Sequence, residues 1–346
     1  MKRINNVWRE KITFSNLLQA HYRARKGKRF RAEVIRFEMN LEDNLIRMGE
    51  ELLRGDYKFS KYREFYVFEP KKRCIKVLKY RDRVVHQFYV EEYIKPIFLK
   101  NFIKDSYACI KGKGVHQAVD TLQRYMKCMK KKNEHFYILK CDIHKFFYNV
   151  NHKKLYECIR RKCKDKEFLA FSRKLIFCDN TGKGLPIGNY TSQFFANIYL
   201  TQLDKFVKEV LGIKYYVRYM DDFVLLLNSK TDCRRAMADM ERFLLDIDLC
   251  LNPKTTYMKN ADGVNFCGYK VFCEYKKIRR KNKIRLKRWL KKIIRLYALG
   301  KIEIESIGRK VPALRGPMVH CNGFRMYEKL IGEFVLVRGS GEDEAR

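Results

Sequence analysis

Long apolar runs are missing from this chain of 346 residues. No run reaches the roughly 18 apolar residues that a membrane-spanning helix needs. Residues 1–11 also contain no apolar core of the kind that marks a secretory signal. The sequence therefore predicts a cytoplasmic protein with no membrane partner.

Cysteine and histidine groups with the spacing of metal ligands are missing too. The chain has 12 cysteines, but no Cys-x-x-Cys occurs, and its 7 histidines show no ligand spacing. These absences predict that there is no structural zinc site. A chain of this length without a signal segment is expected to keep its thiols reduced.

Acidic residues are scarce relative to basic ones. Asp and Glu number 39 against 76 Lys and Arg, which gives a formal net charge of +37. Such a charge repels itself in a compact chain unless an anion is bound, and nucleic acid is the simplest polyanion. A membrane surface is the alternative partner. The basic excess peaks at 275–295, which has no acid and keeps an apolar stripe at helical spacing. The pattern predicts that this segment is a helix whose basic face binds a nucleic-acid duplex. The alternative is that the basic face is only solvated.

Two of the few acids lie side by side in a predicted hairpin. Asp221 and Asp222 stand between the runs 214–218 and 223–227, whose β-branched and aromatic residues favour strands. Adjacent carboxylates repel each other, and a cation bound to both of them reduces this repulsion. Mg²⁺ is a suitable cation because it prefers carboxylate oxygens. A solvated turn is the alternative interpretation of this dipeptide alone.

A third carboxylate, Asp142, ends the apolar run 136–141, which predicts a buried strand. A carboxylate at the end of such a strand needs a partner. If the two strands are neighbours in one sheet, Asp142 and Asp221 can hold two Mg²⁺ ions that clamp the oxygens of a phosphoryl transfer. Between them, 184–193 predicts a Gly-rich loop that leads into a helix, with Thr191 as the N-cap.

The order of these motifs resembles the palm of reverse transcriptases. Two further segments agree with it: Arg81–Gln87 is similar to the fingers, and Asn265–Tyr269 is similar to the primer-grip turn. The resemblance implies an α+β right-hand polymerase with fingers, a palm and a helical thumb. The palm would contain a mixed or antiparallel sheet with helices on one face. The implied activity is RNA-directed DNA polymerisation with two Mg²⁺ ions, for which Mn²⁺ can substitute.

The resemblance and the residue patterns together predict five regions. We expect an N-terminal helical extension at 1–60, in which one long helix runs through 30–53. The other four are fingers with part of the palm at 61–135, the palm at 136–274, the thumb at 275–330 and a flexible tail at 331–346. The basic linker 25–29 is either a phosphate contact or a solvated loop.

Roles for single residues follow from the same resemblance. The catalytic residues are Asp142, Asp221 and Asp222, and the Ile143 carbonyl joins them as a metal ligand. The nucleotide-binding residues are Arg81, Arg83, Phe147, Ile187, Gly188, Gln193 and Lys254. The primer-grip residues are Phe266, Cys267, Gly268 and Tyr269.

Two of these assignments have a physical basis with an alternative. Bidentate guanidinium groups at Arg81 and Arg83 suit phosphate oxygens, although their roles are interchangeable and one of them could instead hold Asp82 or the fold. Phe147, stacked under the sugar, would exclude a 2′-hydroxyl and so select deoxynucleotides. Core packing is the alternative role of this ring.

The loop Ile187–Gln193 is similar to that of reverse transcriptases from diversity-generating retroelements. Ile187 stands where most relatives have Gln, and Gln193 stands where they have Pro. This resemblance implies a bacterial, archaeal or phage enzyme that copies a template-repeat RNA into cDNA with errors at adenines (mutagenic retrohoming). The implied partners are template RNA, the cDNA/RNA duplex, dNTPs and a small, basic, pentameric accessory protein. Loss of an amide contact at Ile187 would weaken discrimination between bases.

Other functions stay open from the sequence. A group II intron-like or defence-associated reverse transcriptase of ordinary fidelity has the same palm. An RNA-dependent RNA polymerase also has this palm, but Phe147 argues against it because the ring would exclude a 2′-hydroxyl. A non-catalytic RNA-binding relic is the remaining alternative, against which the three carboxylates weigh.

Overall fold

The computed structural model describes residues 3–68, 71–178 and 181–338. Glu69 and Pro70, in the region predicted as fingers, lie outside the described residues. So do residues 339–346, which form the end of the expected flexible tail.

The described residues alternate between helices and short strands. The helices are α1 (Trp8–Lys11), α2 (Phe14–Arg25), α3 (Ala32–Glu38), α4 (Leu41–Arg54), α5 (Tyr80–Tyr89), α6 (Lys95–Phe98), α7 (Val115–Lys132), α8 (Phe146–Asn149), α9 (His152–Arg160), α10 (Lys166–Ile176), α11 (Tyr190–Lys205), α12 (Lys230–Asp246), α13 (Arg280–Ala298), α14 (Ile304–Lys310), α15 (Arg315–Val319) and α16 (Phe324–Gly332). The strands are β1 (Arg63–Val67), β2 (Arg73–Val77), β3 (Tyr137–Asp142), β4 (Tyr216–Tyr219), β5 (Asp222–Leu227), β6 (Thr256–Lys259), β7 (Val264–Phe266), β8 (Tyr269–Val271) and β9 (Lys276–Ile278).

These elements form two compact units, each made of three chain segments. Unit 1 comprises Met1–Gly112, Asp142–Lys214 and Arg235–Lys254. Unit 2 comprises Lys113–Cys141, Tyr215–Arg234 and Thr255–Arg346.

Aromatic side chains fill the centre of unit 1. Trp8 stacks on Tyr93 with ring centroids 4.9 Å apart and contacts Phe171 at 4.8 Å. The Tyr93 hydroxyl donates a hydrogen bond to the Trp8 carbonyl at 2.6 Å, and α2 packs along α5. The N-terminal helices therefore share one core with the helices that follow β2.

The expectation of one long helix across 30–53 is wrong. Helix α3 ends at Glu38, and α4 begins at Leu41, because Asn40 leaves the helical region with φ −128° and ψ 51°. The Asn44 side chain satisfies the Phe37 carbonyl at 3.0 Å, which compensates for the broken helical ladder. Gly55 ends α4 in the left-handed region with φ 74°, which glycine adopts readily.

The sheet of unit 2 has the strand order β4-β5-β3-β6. Strands β4 and β5 form an antiparallel hairpin, and β3 pairs antiparallel with β6. Helix α7 packs against β4 and β5. A second, three-stranded antiparallel sheet follows, in the order β7-β8-β9. The predicted strand at 136–141 and the predicted hairpin around Asp221 are confirmed.

The basic segment after β9 is helical, as its apolar stripe predicts. Leu290 of α13 packs in a buried cluster with Leu314, Met318 and Leu330, and Trp289 lies against this cluster. The Lys and Arg side chains of α13 are consequently left at its surface, because the apolar stripe takes the inner face.

None of the helices in the described ranges is long and apolar enough to cross a membrane. The 12 cysteines all lie in those ranges and are free thiols.

Candidate active site

The turn between β4 and β5 carries the adjacent carboxylates. Tyr219 pairs with Asp222 across the hairpin, so Met220 and Asp221 form the turn. Met220 has φ 56°, which is uncommon for a side chain of this size. The fully buried Arg218 donates a hydrogen bond from Nη1 to the Met220 carbonyl at 3.1 Å. The hydrogen bond from Arg218 therefore fixes the backbone conformation at the tip of the hairpin.

Lys140 contacts the second carboxylate of this pair. It lies on β3, the neighbour of β5, and its ammonium group forms an ion pair with Asp222. The same ammonium lies 5.7 Å from the centre of the Phe266 ring. Burial raises the pKa of Cys267, and the charge of Asp222 adds to this shift while Lys140 opposes it. Lys140, Asp222 and the predicted primer grip thus form one cluster in unit 2.

Residues Phe266–Tyr269 form a tight turn between β7 and β8. Cys267 and Gly268 both have positive φ, 47° and 90°, as a two-residue hairpin of this kind requires. The Gly268 carbonyl accepts hydrogen bonds from the Arg279 amide at 3.0 Å and from Asn282 Nδ2 at 3.1 Å. These bonds connect the turn to the start of the basic helix α13.

Asp142 is held by a residue that sequence analysis did not single out. Asn252 donates from Nδ2 to Asp142 Oδ2 at 2.9 Å, and its backbone amide donates to the Asp142 carbonyl at 2.7 Å. Its Oδ1 accepts from the Lys254 amide at 3.0 Å. One asparagine in unit 1 therefore orients a predicted catalytic carboxylate and fixes the backbone of a predicted triphosphate-binding lysine, whose side chain is exposed.

Unit 1 also contains the predicted sugar-discriminating residue. Phe146 is buried and Phe147 is half-buried, so core packing falls mainly to Phe146. The Phe147 carbonyl accepts from the Leu185 amide at 2.6 Å, which joins this segment to the Gly-rich loop. Ile143, whose carbonyl is a predicted metal ligand, is buried and forms a β-bridge with Leu251.

The loop at Ile187 packs on the edge of β2. The Ile187 carbonyl accepts from the Lys76 amide at 2.9 Å, and the buried Asn189 donates to the Tyr62 hydroxyl at 2.7 Å. Gly188 has φ 122°, and a Cβ there would lie 2.9 Å from the Lys76 carbonyl. Only glycine fits this contact, which explains its place in the loop.

The helix after this loop starts two residues earlier than predicted. Asn189 is the N-cap of α11, without a side-chain hydrogen bond, so Thr191 is not the cap. The Thr191 hydroxyl instead lies 3.0 Å from His86 Nδ1, and burial lowers the pKa of His86 to about 3. Gln193 is exposed and accepts from the Cys109 thiol at 3.3 Å.

Arg81 and Arg83 pair with glutamates from the N-terminal helices. Arg81 Nη2 lies 2.7 Å from Glu51 Oε1, and Arg83 forms an ion pair with Glu33. The Arg83 Nε atom is buried without a hydrogen-bond partner. Asp82 is held neither by Arg81 nor by Arg83 but by the Tyr57 hydroxyl at 2.7 Å and the Ser60 amide at 3.1 Å.

The donor set suits a hard divalent cation, because carboxylate and carbonyl oxygens are its usual ligands. Among the described residues, no three His, Cys, Asp or Glu side chains are grouped closely enough to hold a metal ion.

Sequence analysis missed Lys140, Asn252 and Arg218. A signal existed for Lys140, because residues two apart in a strand share a face, which puts Lys140 on the face of Asp142. Nothing in the local sequence marked Asn252, since its partner lies 110 positions away.

Comparison with known proteins agrees with this geometry. The sequence profile of the family described as reverse transcriptase (RNA-dependent DNA polymerase) matches residues 67–271. Protein YkfC of Escherichia coli is 23% identical over 274 residues, which cover 65% of this chain and 70% of YkfC. The COX1/OXI3 intron 1 protein of Saccharomyces cerevisiae is 21% identical over 292 residues, and the match covers 66% of this chain and 34% of that protein.

Solved structures show the same fold. Telomerase from Candida tropicalis, in complex with a fragment of telomeric RNA, superposes with a TM-score of 0.50 at 15% identity. The match covers 79% of this chain and 55% of that telomerase, so this chain spans about half the length of its structural relative.

The α+β fold with antiparallel sheets and basic helices is that of a right-hand polymerase, as expected from the sequence. More than half of the chain matches one family profile. The chain belongs to the reverse transcriptase (RNA-dependent DNA polymerase) family and is an RNA-directed DNA polymerase. Members of this family bind template RNA and generally use divalent metal ions.

Proposed function

We propose that this polymerase copies a template-repeat RNA into adenine-mutagenised cDNA for a diversity-generating retroelement, and that Asp142 and Asp221 hold its two Mg²⁺ ions. The supporting observation is the strand order of one sheet. Strand β3, which ends at Asp142, is the hydrogen-bonded neighbour of β5, which begins at Asp222. Carboxylates that share two divalent ions are the usual ligands in enzymes of phosphoryl transfer.

The reaction is a nucleotidyl transfer from a dNTP to a primer. The primer 3′-oxygen attacks the α-phosphate, and pyrophosphate leaves. Bound divalent ions supply Lewis-acid stabilisation of the attacking and leaving oxygens. Asp142 and Asp221 would hold the ions, the Ile143 carbonyl would add an oxygen, and Asp222 would adjoin Asp221 as its neighbour in the chain. Asn252 keeps Asp142 in one rotamer through its hydrogen bond at 2.9 Å.

The nucleotide contacts are proposed residue by residue. Lys254, Arg81 and Arg83 neutralise the β- and γ-phosphates, as cationic groups do in phosphoryl transfer. For the two arginines this requires exchange of their glutamate partners, Glu51 and Glu33, for phosphate oxygens. Phe147 packs under the deoxyribose, and the loop residues Ile187, Gly188 and Gln193 complete the nucleotide pocket.

Nucleic acid is proposed to contact two basic surfaces, one in each unit. In unit 1 the β1–β2 hairpin exposes aromatic side chains, of which Tyr66 is 55% and Phe68 68% exposed. Lys72 lies 4.8 Å from the centre of the Tyr66 ring. Aromatic rings with adjacent cations form a binding surface for single strands. In unit 2 the Lys and Arg side chains of α13 contact duplex phosphates, and Phe266–Tyr269 hold the primer end.

The proposed source of infidelity is Ile187. The loop backbone is fixed by Lys76, as described above, so a side-chain change at 187 leaves the loop in place. Ile187→Gln would supply an amide that can discriminate between base pairs. We expect errors at template adenines to fall in sequenced cDNA, with Ile75→Val on β2 as the control. An unchanged adenine error rate would reject Ile187 as the source.

The accessory protein remains part of the proposal. A small, basic, pentameric protein that binds both this polymerase and its RNA is expected to co-purify with the chain from its host. RNA sequencing of that complex would identify the template.

Primer extension tests both the polymerase activity and the proposed metal ligands. Asp142→Asn and Asp221→Asn should each abolish extension with dNTPs while RNA binding is retained. Extension with NTPs at equal rate would instead indicate an RNA polymerase. Faithful cDNA from the wild-type enzyme with its accessory protein would reject the mutagenic assignment and leave the family activity intact.

A further inference from the structure

Two histidines of unit 2 lie face to face. His116 is the second residue of α7, and His320 directly follows α15. Their ring centroids are 3.5 Å apart, and the ring planes differ by only 19°. Helix α7 packs against β4 and β5, whereas α15 belongs to the segment predicted as the thumb. The stacked pair therefore joins a helix of the palm sheet to a helix of the predicted thumb.

Tyr269 contacts both sides of this junction. Its ring lies 5.9 Å from the His116 ring at an interplanar angle of 70°. Its hydroxyl donates a hydrogen bond to the Pro317 carbonyl of α15 at 3.1 Å. Tyr269 is only 4% exposed, and it is the last residue of the turn Phe266–Tyr269. Movement of α15 away from α7 would therefore remove a contact that supports this turn.

The stack depends on the protonation of its rings, because protonating both of them places two positive charges 3.5 Å apart. Burial lowers the pKa of His116, and the charge of His320 adds to this shift. Asp120, one turn further along α7, opposes the shift. Lys276 of β9, which forms an ion pair with Asp120, adds to it. The balance of these groups favours the neutral form of His116.

The neighbouring titratable groups do not ionise in the range where imidazole does. Burial raises the pKa of Tyr269 to about 12 and also raises the pKa of the Cys321 thiol. The pKa of His116 in the folded chain lies below the ordinary histidine value of about 6.5. Its contribution to stability is therefore complete above about pH 6.5 and is lost as the pH falls below that value.

We propose that His116 and His320 form a pH-sensitive switch, in which the neutral rings hold α15 against α7 and protonation of the pair releases it. The released helix carries away the Pro317 carbonyl that accepts the Tyr269 hydrogen bond. The switch rests on this geometry alone. Its effect on primer binding rests in addition on the proposed primer-grip role of Phe266–Tyr269.

Three variants of the full-length chain test the switch. The double variant His116→Phe/His320→Phe keeps two rings that can stack but cannot take up a proton, and His320→Ala removes the stack. His135→Phe makes the same change at an exposed histidine of unit 2 and is the control. Hydrogen exchange of residues 315–322 and affinity for a primer–template duplex are both measured at about pH 7.5 and about pH 5.5, on either side of the ordinary imidazole pKa.

In the wild type, exchange in 315–322, corrected for the intrinsic chemical rate, should rise about 2- to 10-fold on acidification, which corresponds to the loss of one aromatic pair. Duplex affinity should fall by a similar factor. The double variant should show neither change, and His320→Ala should exchange fast at both pH values. The direction of the affinity change is informative, because proton uptake on a basic surface would by itself tighten phosphate binding.

The ring resonances of the wild-type histidines give a second test that needs no variant. The titration midpoint of His116 should be lower in the folded chain than in the chain unfolded by urea. Equal midpoints would overturn the proposal, and so would an acid-induced rise in exchange that persists in the double variant. An exchange response without any change in duplex affinity would support the switch and contradict the primer-grip role of Phe266–Tyr269.

Discussion

The two hairpins β1–β2 and β4–β5 have similar lengths and opposite surroundings. All five residues of β1 are exposed, including three apolar side chains, Phe65, Tyr66 and Val67. In the β4–β5 hairpin, by contrast, Tyr216 and Val217 and the run Phe223–Leu225 are fully buried. The buried β4–β5 hairpin, whose turn is fixed by a hydrogen bond, can hold charged groups in one geometry. The exposed aromatic side chains of the β1–β2 hairpin are instead accessible to a ligand.

Because of this difference, we expect the β4–β5 hairpin to carry the catalytic groups and the β1–β2 hairpin to contact the substrate. Met220 keeps an unfavourable φ because Arg218 and the buried strands on both sides determine its conformation. In the β1–β2 hairpin, the Lys76 amide donates a hydrogen bond to the Ile187 carbonyl at 2.9 Å, which ties the second strand to the Gly-rich loop. Changes in the two hairpins should therefore have different consequences, and the predictions below test that contrast.

The largest effect is expected at the tip of the buried hairpin. Asp221→Asn removes a proposed ligand charge and should lower primer extension by roughly 10³-fold or more, since bound ions contribute several kcal/mol to this kind of reaction. The urea midpoint should stay close to that of the wild type. Glu157→Gln, which removes an equivalent charge from an exposed pair with Arg160, is the control. Extension by Asp221→Asn within tenfold of wild type would contradict the assignment.

The next effect concerns stability. Leu225→Ala removes a fully buried side chain from β5 and should cost about 2–5 kcal/mol of unfolding free energy. Val67→Ala on β1 removes a side chain that is 38% exposed and should cost less than about 1 kcal/mol. Urea denaturation followed by intrinsic fluorescence measures both. Equal losses would mean that β1 is covered in solution.

Local patterns predicted the elements that carry the site. The alternation of apolar runs with a short polar turn located the hairpin at Asp221, because it depends on residues that are close in sequence, and the family resemblance located the turn at Gly268. The strand that ends at Asp142 followed from one apolar run. The hairpin and the strand form as expected because their sequence-local patterns agree with the packing around them.

Pairings over long distances were not predictable in this way. The sequence predicts that Arg81 and Arg83 bind phosphate, or that one of them holds Asp82 or the fold. It does not predict their ion pairs with Glu51 and Glu33, which depend on how the N-terminal helices pack. The break at Asn40 also escaped prediction, because the apolar spacing continues across it while the Asn44 side chain satisfies the Phe37 carbonyl. Sequence periodicity reports which face is buried, not which partner each polar atom finds.

A smaller effect on rate should follow from Asn252→Ala. This change removes the side-chain hydrogen bonds to Asp142 and to the Lys254 amide, and should slow extension by about 10- to 100-fold. Asn133→Ala, at the C-cap of α7, removes a half-buried asparagine whose Oδ1 accepts a hydrogen bond from the His135 amide at 3.1 Å, and is the control. Single-turnover kinetics with saturating primer would separate the chemical step from binding. A normal rate in Asn252→Ala would mean that Asp142 is oriented by other contacts.

The smallest effect should come from the exposed hairpin and should appear in binding alone. Tyr66→Ala removes one stacking surface and should weaken single-stranded RNA binding by about fivefold, which is the lower end of the usual range for one aromatic. Its salt dependence should be unchanged, because stacking releases no counterions. Lys72→Met, which removes the cation beside that ring, should instead reduce the slope of log affinity against log salt by about one. Fluorescence anisotropy at several salt concentrations distinguishes the two. If Tyr66→Ala altered the slope and Lys72→Met did not, the ring would be shaping the backbone of the hairpin rather than stacking on a base.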